Sequence, residues 1–375
     1  MQRVLITGGA GFIGSHLTDE LLAAGHRVRV LDELAEQVHG PGRERPDYLD
    51  PDAELVVGDV RDAAAVERAL RDVDVVFHLA ARVGVGQSMY EPAEYTDTNN
   101  RGTAVLLEAM MRRHQARPFR KLVVASSMSV YGEGRYRDPD GRPHDRVERR
   151  RQDLAERRWE PRTASGETLS PLPTPEDKPP HLASLYALSK YDQERMCLMF
   201  GQAYEIPTVA LRFFNVYGTR QALSNPYTGV LAIFASRLLN GRPPRIFEDG
   251  QQRRDFVHVS DVARACHLAL ARSEADGRVL NVGSGRSYTV REIADAVARV
   301  LGRTDVPPLI TGQYRVGDIR HCFADVGAAR EVLEFEPQVD LDRGLAELAG
   351  WLEGQVAVDR VDEASRELAA RGLTV

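Results

Sequence analysis

The sequence predicts an α/β fold: a doubly wound parallel sheet followed by a smaller C-terminal lobe of mixed α/β structure. Two observations support this fold class. Over the first third of the chain, short apolar strands alternate with amphipathic helices, as in sheets covered by helices on both faces. The strands are continuous β-branched runs, which are typical of parallel strands buried on both sides. A length of 375 residues leaves room for the additional lobe.

The predicted elements follow one another in strand–helix order. The first strand, VLIT, runs into a glycine-rich turn and then into an amphipathic helix. Later strands repeat this pattern as far as the glycine at position 132, and a long helix and a further strand follow. The predicted strands cover residues 4–7, 27–31, 54–57, 73–79, 121–125 and 208–213. The predicted helices cover residues 12–24, 63–70, 96–113 and 184–204.

The strand–helix pattern breaks after position 132. Residues 135–175 contain ten arginines, repeated prolines and few aliphatic positions, so we expect a long surface insertion. The predicted organisation is a dinucleotide-binding domain at 1–217 with this insertion, a substrate lobe at 218–354 and a helical tail at 355–375.

Composition excludes several classes of protein. The chain is 43% hydrophobic and 28% charged with a net charge of −6, which describes a globular protein without a nucleic-acid footprint. It has no long apolar run for a membrane and no signal-peptide pattern at its start. Its cysteines are few, odd in number and far apart (Cys197, Cys266 and Cys322), so we expect no disulfide framework and a reducing cytoplasm.

Lysine is scarce in this chain. Only Lys121, Lys178 and Lys190 are lysines among 49 basic residues, and codon bias is the simple explanation. A lysine is nevertheless worth checking here, because a compact ammonium does work that a planar guanidinium cannot do.

A glycine pattern between the first strand and the first helix predicts a dinucleotide site. Gly8, Gly11 and Gly14 would let backbone N–H groups and the helix N-terminus, with Phe12 and Ile13, approach a pyrophosphate, as in a Rossmann domain.

Asp32 ends the second predicted strand. A carboxylate there accepts hydrogen bonds from ribose hydroxyls and repels a 2′-phosphate, so NAD is favoured over NADP. The alternative is a solvated strand end.

Two further segments end predicted strands on the same edge of the sheet. Asp59 and Val60 are positioned to reach an adenine edge. The small residues after the fourth strand would leave room for the cofactor; they belong to the segment Leu79, Ala80 and Ala81. Ordinary loop and packing residues are an equal alternative for both segments.

Tyr186 and Lys190 have the i, i+4 spacing that places them on one face of the predicted helix. A phenol is a poor base at neutral pH, and a nearby ammonium together with a nicotinamide ring would stabilise the phenolate. Ser127 ends the fifth strand, where its hydroxyl would bond the substrate oxygen that Tyr186 deprotonates. The alternatives are a surface pair and a serine turn.

Together these elements resemble the extended short-chain dehydrogenases/reductases, the NAD-dependent nucleotide-sugar epimerases and dehydratases. The resemblance covers about Met1 to Leu352 apart from 135–175. It implies a Ser127–Tyr186–Lys190 triad, NAD contact by Asn99 and substrate contact by Ser129. It also implies that Asn215, Arg254 and Arg315 contact a sugar-nucleotide diphosphate; arginine pairs suit that ligand.

Residues after Ser127 distinguish reactions within this family. Similar dehydratases carry an Asp-Glu pair where this chain has Met128 and Ser129. Related decarboxylases carry Glu, and C3/C5 epimerases carry Cys, at position 129. The remaining chemistry is oxidation at C4 and reduction from the other face. The segments 224–230 and 246–250 are most similar to 4-epimerases, particularly proteins like dTDP-L-rhamnose 4-epimerase and UDP-glucose 4-epimerase.

The insertion departs from that subgroup. Its members often carry two Cys-x-x-Cys pairs there, whereas 138–141 and 162–166 have no cysteine, so we expect no structural metal. The insertion falls between Ser127 and Tyr186, where it could cap the sugar pocket.

The resemblance implies a 4-epimerase acting on a dTDP- or UDP-linked hexose or 6-deoxyhexose through a 4-keto intermediate. A 4-ketoreductase or dehydrogenase of the same fold, and a non-catalytic NAD sensor, are the alternatives. By analogy, a homodimer would pair helices 96–113 and 184–204. We expect no nucleic-acid or membrane partner.

Overall fold

The computed structural model describes residues 1–223, 225, 229–315, 317–353, 359 and 361–374. Part of the 224–230 segment, Val316 of the Arg315 motif and part of the 355–375 tail lie outside the described residues. The strands are β1 (Arg3–Thr7), β2 (Arg27–Asp32), β3 (Glu54–Val57), β4 (Val75–His78), β5 (Lys121–Ser127), β6 (Arg135–Arg137), β7 (Pro143–His144), β8 (Ser170–Leu172), β9 (Thr208–Phe213), β10 (Asn215–Tyr217), β11 (Arg245–Ile246), β12 (Arg253–Arg254), β13 (Phe256–His258), β14 (Val279–Val282), β15 (Tyr288–Thr289), β16 (Leu309–Ile310) and β17 (His321–Cys322).

Helices flank these strands. They are α1 (Phe12–Ala23), α2 (Glu36–His39), α3 (Ala63–Ala69), α4 (Val85–Ser88), α5 (Pro92–Tyr95), α6 (Gly102–His114), α7 (Arg151–Ala155), α8 (Leu185–Ala203), α9 (Val230–Leu239), α10 (Val259–Ala271), α11 (Val290–Val300), α12 (Gly327–Leu333), α13 (Leu341–Leu352) and α14 (Val361–Ala370). Within the described chain, no helix combines the length and the apolar character that crossing a bilayer requires.

The main sheet has seven parallel strands in the order β3-β2-β1-β4-β5-β9-β14. The strand order reverses between β1 and β4, and this reversal opens a crevice at the carboxyl edge. One buried apolar cluster lies on each face of the sheet, as continuous apolar strands require. The predicted doubly wound α/β fold is therefore confirmed.

The sheet does not end at residue 217. Its last strand, β14, and the packed helix α10 come from the 218–354 range that the sequence assigned to the lobe. Val262 of α10 and Val282 of β14 belong to the same buried cluster as the first strand. The two parts of the molecule therefore interleave along the chain, because the doubly wound sheet takes its outermost strand from beyond the lobe's first helix.

The smaller lobe has its own apolar cluster, formed mainly by α9, α11 and α13. Thr289 caps α11 in a capping box with Glu292: the Glu292 N–H donates to the threonine hydroxyl, and the Thr289 N–H donates to the glutamate. Short strand pairs surround this cluster, including β12 with β15 and β17.

The insertion forms a three-stranded antiparallel sheet, β7-β6-β8, and the short helix α7. Buried ion pairs attach the insertion to the rest of the molecule. Arg149 pairs with Glu133 at 3.0 Å and with Glu248 at 2.5 Å. Arg320, which is 1% exposed, pairs with Glu160 of the insertion at 2.5 Å and with Glu248 at 2.9 Å. Ion pairs therefore join the insertion to the lobe.

The predicted helix 96–113 divides into two parts. Residues Thr96–Arg101 form a turn of π-helix, and α6 continues from Gly102. The wider turn places Asn99 inward, where it is fully buried.

Candidate active site

A cleft of about 450 Å³ lies at the carboxyl edge of the main sheet. The glycine turn forms its middle, the ends of β2 and β3 form one side, and the ends of β5 and β9 with α8 form the other. The described lining of this cleft contains no residue of the 135–175 insertion. The cleft is long in one direction, because it follows the strand ends.

The glycine turn is tightly packed under the cleft. Gly8 has φ +70°, and a Cβ there would lie 2.9 Å from the Ala80 backbone. At Gly14 a Cβ would lie 2.3 Å from the Gly8 carbonyl oxygen. A side chain at either position would collide with neighbouring backbone, so both glycines meet a steric requirement of the turn itself. Gly11, Phe12 and Ile13 also line the cleft.

Asp32 ends β2 beside this turn and is 9% exposed. Its carboxylate accepts hydrogen bonds from Ala10 N at 3.0 Å and Leu34 N at 2.9 Å. These bonds fix the orientation of the carboxylate at the cleft wall and leave it free lone pairs for a ribose hydroxyl.

The ends of β3 and β4 close the adenine side of the predicted site. Val60 and Asp59 line the cleft, but the Asp59 carboxylate also holds Arg61, with Nη2 to Oδ2 at 2.7 Å. Burial raises the pKa of Asp59, yet the hydrogen bonds from Arg61 lower it overall. Leu79, Ala80 and Ala81 line the cleft as predicted.

Asn99 lies behind the cleft and is absent from its described lining. Its Oδ1 accepts from Arg82 N at 2.7 Å, and its Nδ2 donates to Arg82 O at 3.1 Å and Ser189 Oγ at 2.9 Å. The resemblance implied a direct cofactor contact. The bonds to Arg82 and Ser189 fix the loop after β4 against α8, and the cofactor contact stays a prediction.

Ser127 is the last residue of β5, at the reversal into a 3₁₀ turn. Its Oγ accepts from Ser129 N at 3.2 Å and lies 3.1 Å from Ser129 Oγ. Both hydroxyls line the cleft. The strand end thus holds two serine hydroxyls at one point of the cleft wall.

Tyr186 and Lys190 lie in the first turns of α8, whose N-terminus is capped by the Ser184 hydroxyl. The Tyr186 N–H donates to Ser88 Oγ at 3.0 Å, which satisfies a helix-end donor. Both side chains line the cleft and are buried. The structure therefore brings Ser127, Tyr186 and Lys190 to one end of the cleft.

Burial moves both titratable groups of this triad away from their ordinary pKa values. It raises the pKa of the Tyr186 phenol, and a hydrogen bond with Ser127 opposes that shift. It lowers the pKa of the Lys190 ammonium to about 8. A phenolate at Tyr186 therefore needs positive charge beside it.

The predicted substrate contacts fall in two places. Asn215 lines the cleft, and its buried Oδ1 has no hydrogen-bond partner among the described residues. Arg315 lines a second cavity of about 490 Å³, together with insertion residues Val147 and Arg149. The insertion therefore borders the Arg315 cavity.

Arg254 is largely committed to the protein. Its guanidinium donates to the carbonyl oxygens of Arg253 and Arg320, each at 2.9 Å, and to that of Ile319. Arg254 is absent from the described lining of either cavity. It lies 3.8 Å from Asp318, which also pairs with Arg315 at 3.0 Å.

Sequence reasoning missed the segment after β4. Arg82, Val83, Gly84, Val85 and Gln87 line the cleft. The carboxyl ends of parallel strands meet at one edge, and that rule could have extended the prediction beyond Ala81.

The lining of the cleft fits a dinucleotide. A glycine turn lies in its middle, a carboxylate stands at the end of β2, and Asn215, whose Oδ1 has no partner among the described residues, lines the other side. Along the cleft these features follow one another in the order ribose, pyrophosphate and substrate.

Comparisons with known proteins agree with this arrangement. The model of the NAD dependent epimerase/dehydratase family matches residues 4–151 and 164–283. The residues between the two matched segments lie in the insertion.

Similar proteins cover nearly the whole chain. A dTDP-L-rhamnose 4-epimerase from Burkholderia thailandensis is 35% identical over 354 residues, 94% of this chain and 95% of its own. A UDP-glucose 4-epimerase from Thermotoga maritima, solved with UDP-glucose, has a TM-score of 0.75 at 32% identity, with 94% and 98% covered. The UDP-glucose 4-epimerase of Thermus thermophilus, solved with NAD, has a TM-score of 0.74 at 33% identity. The match covers 94% of this chain and 100% of that one.

Proposed function

The chain belongs to the NAD dependent epimerase/dehydratase family, and from this premise we propose that it is a nucleotide-sugar 4-epimerase that uses bound NAD. The substrate we propose is a dTDP- or UDP-linked hexose or 6-deoxyhexose. Support comes from the relatives that act on such nucleotide sugars and from the triad at one end of the cleft.

The triad residues divide the proton chemistry. The Tyr186 phenolate takes the proton of the sugar 4-hydroxyl, and Ser127 Oγ holds the same oxygen by a hydrogen bond. Lys190 supplies the positive charge that a buried phenolate requires. NAD, when bound, would supply hydride acceptance from C4 and its return. Between the two hydride transfers the 4-keto sugar turns over and presents the opposite face of C4, and Tyr186 then reprotonates the oxygen.

One observation favours epimerisation over elimination or decarboxylation. The carboxylates in the described lining of the cleft are Asp32, Glu33 and Asp59, all at or just beyond the ends of β2 and β3. Beside Ser127 stand Met128 and Ser129, which offer no acid to expel water across C5–C6. Tyr186 alone handles the proton, and oxidation and reduction at C4 need no second acid.

The cofactor and substrate contacts are part of the same proposal. Asp32 holds the adenosine ribose, and the Gly8–Gly14 turn holds the pyrophosphate. Arg315 and Arg254 lie on either side of Asp318 and would face the substrate diphosphate once Arg315 leaves that carboxylate. Asn99 holds the backbone of Arg82 at the cleft, beside the cofactor contact that the resemblance implies for it.

The assembly and compartment belong to this proposal too. The outer face of α8 exposes Leu188 and Met199, which supports a homodimer through α6 and α8. All three cysteines are buried free thiols, which suits a reducing cytoplasm.

A cofactor-free assay tests the proposal. The protein as purified is incubated with dTDP-L-rhamnose or UDP-glucose without added NAD, and the products are separated by chromatography. We expect the 4-epimer of at least one of these sugars. Dependence on added NAD(P)H, with a single reduced or oxidised product, would favour a ketoreductase or dehydrogenase. Tight NAD binding without turnover of any dTDP- or UDP-sugar would favour a sensor.

A further inference from the structure

A chain of buried polar side chains lies behind the cleft, between the glycine turn and Lys190. Its members are at most 3% exposed: Thr7, His78, Thr103, Lys190 and Gln193. They come from two layers, since β1 and β4 belong to the sheet while α6 and α8 lie on one face of it. Polar groups so deeply buried must satisfy one another.

Lys190 fixes the orientation of Gln193. An ammonium only donates, so its 2.7 Å hydrogen bond to Gln193 ends on Oε1. The amide nitrogen therefore points the other way, where it donates to Thr103 Oγ1 at 2.9 Å and to the Ala80 carbonyl at 3.3 Å. Ala80 lines the cleft, so the amide links Lys190 to the cleft floor.

The histidine in this chain is neutral. Burial, together with the charge of Lys190, lowers the pKa of His78 to about 3. Thr103 donates to the Asn99 carbonyl at 2.6 Å and therefore accepts from His78 Nε2 at 2.8 Å. The Thr7 hydroxyl then donates to His78 Nδ1 at 2.8 Å. The 3.2 Å contact between Gln193 Nε2 and His78 Nε2 joins two donors, so Gln193 is not held by the imidazole.

We propose that Gln193 is the positioning residue of the active-site lysine: its side-chain carbonyl holds the Lys190 ammonium charged and in place beside Tyr186. The importance of this role for catalysis rests on the proposed function. It assigns to the residue one helical turn beyond the lysine a task that neither the family match nor the triad pattern contains.

The other groups around Lys190 do not replace this contact. On α8, Glu194 and Cys197 favour its charged form, while burial opposes it. The Glu194 carboxylate already accepts from Ser126 Oγ at 2.6 Å and pairs with Arg212 at 2.8 Å. From β4, neutral His78 adds no charge. Loss of the Gln193 acceptor therefore removes the hydrogen bond that offsets burial of the ammonium.

The scarcity of lysine makes the test direct. In protein labelled with ¹³C at lysine Cε, three signals are expected, and Lys190→Arg assigns that of Lys190. Titration of the NAD-loaded protein should show a downward shift of the Lys190 pKa by about one unit in Gln193→Met. In Gln193→Glu the added carboxylate should shift it upward. Gln252→Met, which removes another buried glutamine, should leave the signal unchanged.

Activity supplies the second readout. With a substrate in hand, the alkaline limb of kcat should move down in Gln193→Met and up in Gln193→Glu, with KM little changed. If Gln193 had a purely structural role, kcat would fall in both variants, and the alkaline limb of the pH profile would not move in opposite directions. If Gln193→Met does not fold, Gln193→Asn withdraws the same carbonyl by one methylene, and we expect it to shift the pKa downward.

The inference is overturned if Lys190 titrates at the same pH in the native protein and in the folded Gln193 variants. The titration needs no sugar, so it separates this result from failure of the proposed function. If the protein epimerises no sugar but the Lys190 pKa moves down in Gln193→Met and up in Gln193→Glu, the positioning role of Gln193 stands and only its link to catalysis fails.

Discussion

At the scale of single residues, each titratable member of the triad offsets the cost of burying the charge of the other. The protein interior disfavours a phenolate at Tyr186 and an ammonium at Lys190. Placed one helical turn apart, each charge would favour the other. Arginine would set its charge on a broader fork, so a lysine at position 190 has a physical reason that codon bias does not supply.

Removing the phenolic hydroxyl tests this arrangement. Tyr186→Phe should lower kcat by about 10²- to 10⁴-fold, the usual contribution of a positioned acid–base group. NAD content should stay unchanged, because the glycine turn and Asp32 are untouched. The control is Tyr95→Phe, whose ring lies edge-on to Tyr186 at 6.5 Å. Near-native turnover in Tyr186→Phe would contradict the assignment.

The sequence predicts placement at the cleft where that placement follows from a residue's position on a strand or helix. The three glycines, Asp32 and the small residues after β4 line the cleft because strand ends meet there. Asn99 and Arg254 were harder to place. Their partners are backbone carbonyls and amides brought close by the fold, and no sequence spacing reveals them.

At the scale of elements, the insertion is held by charge more than by apolar packing. Its own apolar cluster consists of Tyr136, Val147 and Leu169. In contrast, Arg149 and Arg320 each bridge two or more carboxylates in the interior. Such networks suit a segment rich in arginine.

Breaking this network should cost more than a surface pair. Arg320→Met removes the cation paired with Asp249 and one of the partners of Glu160 and Glu248, which keep His321 and Arg149. We therefore expect a loss of about 3 kcal/mol in the free energy of unfolding. Arg330→Met, at an exposed pair with Glu336, should cost below about 1 kcal/mol. Urea denaturation measures both. Equal losses would show that the buried network does not hold the insertion.

Sequence periodicity predicted the strands of the main sheet through β9 and the helices beside them. It did not predict that β14 would complete the sheet, because pairing with β9 is a long-range contact that no local pattern records. It also missed the π-helical turn before α6, since one extra residue per turn barely changes the apolar spacing.

At the scale of the whole molecule, buried neutral histidines link stability to pH. Burial lowers the pKa of His78 to about 3 and that of His16 to about 4, from 6.5 in each case. The unfolded chain therefore binds more protons below pH 6.5. Stability from these groups is present above pH 6.5 and is lost as pH falls toward the folded values.

Calorimetry or urea denaturation between pH 6.5 and 5 measures this loss. Each histidine should contribute a slope of about 1.4 kcal/mol per pH unit well below its unfolded pKa. His78→Gln and His16→Gln should each flatten the curve by up to one proton, and the double variant by up to two. An unchanged slope in both single variants would show that these imidazoles are protonated in the folded protein.

Also at this scale, the fate of the hydride distinguishes an epimerase from an enzyme that exchanges its cofactor. An epimerase returns the same hydride to the sugar, so the cofactor is never consumed. The most direct test supplies the active nucleotide sugar with deuterium at C4 to the NAD-loaded protein and follows the label by mass spectrometry and NMR. We predict that the 4-epimer forms without added cofactor and keeps the deuterium at C4. Loss of the label from C4, or release of one equivalent of NADH per sugar, would contradict the account.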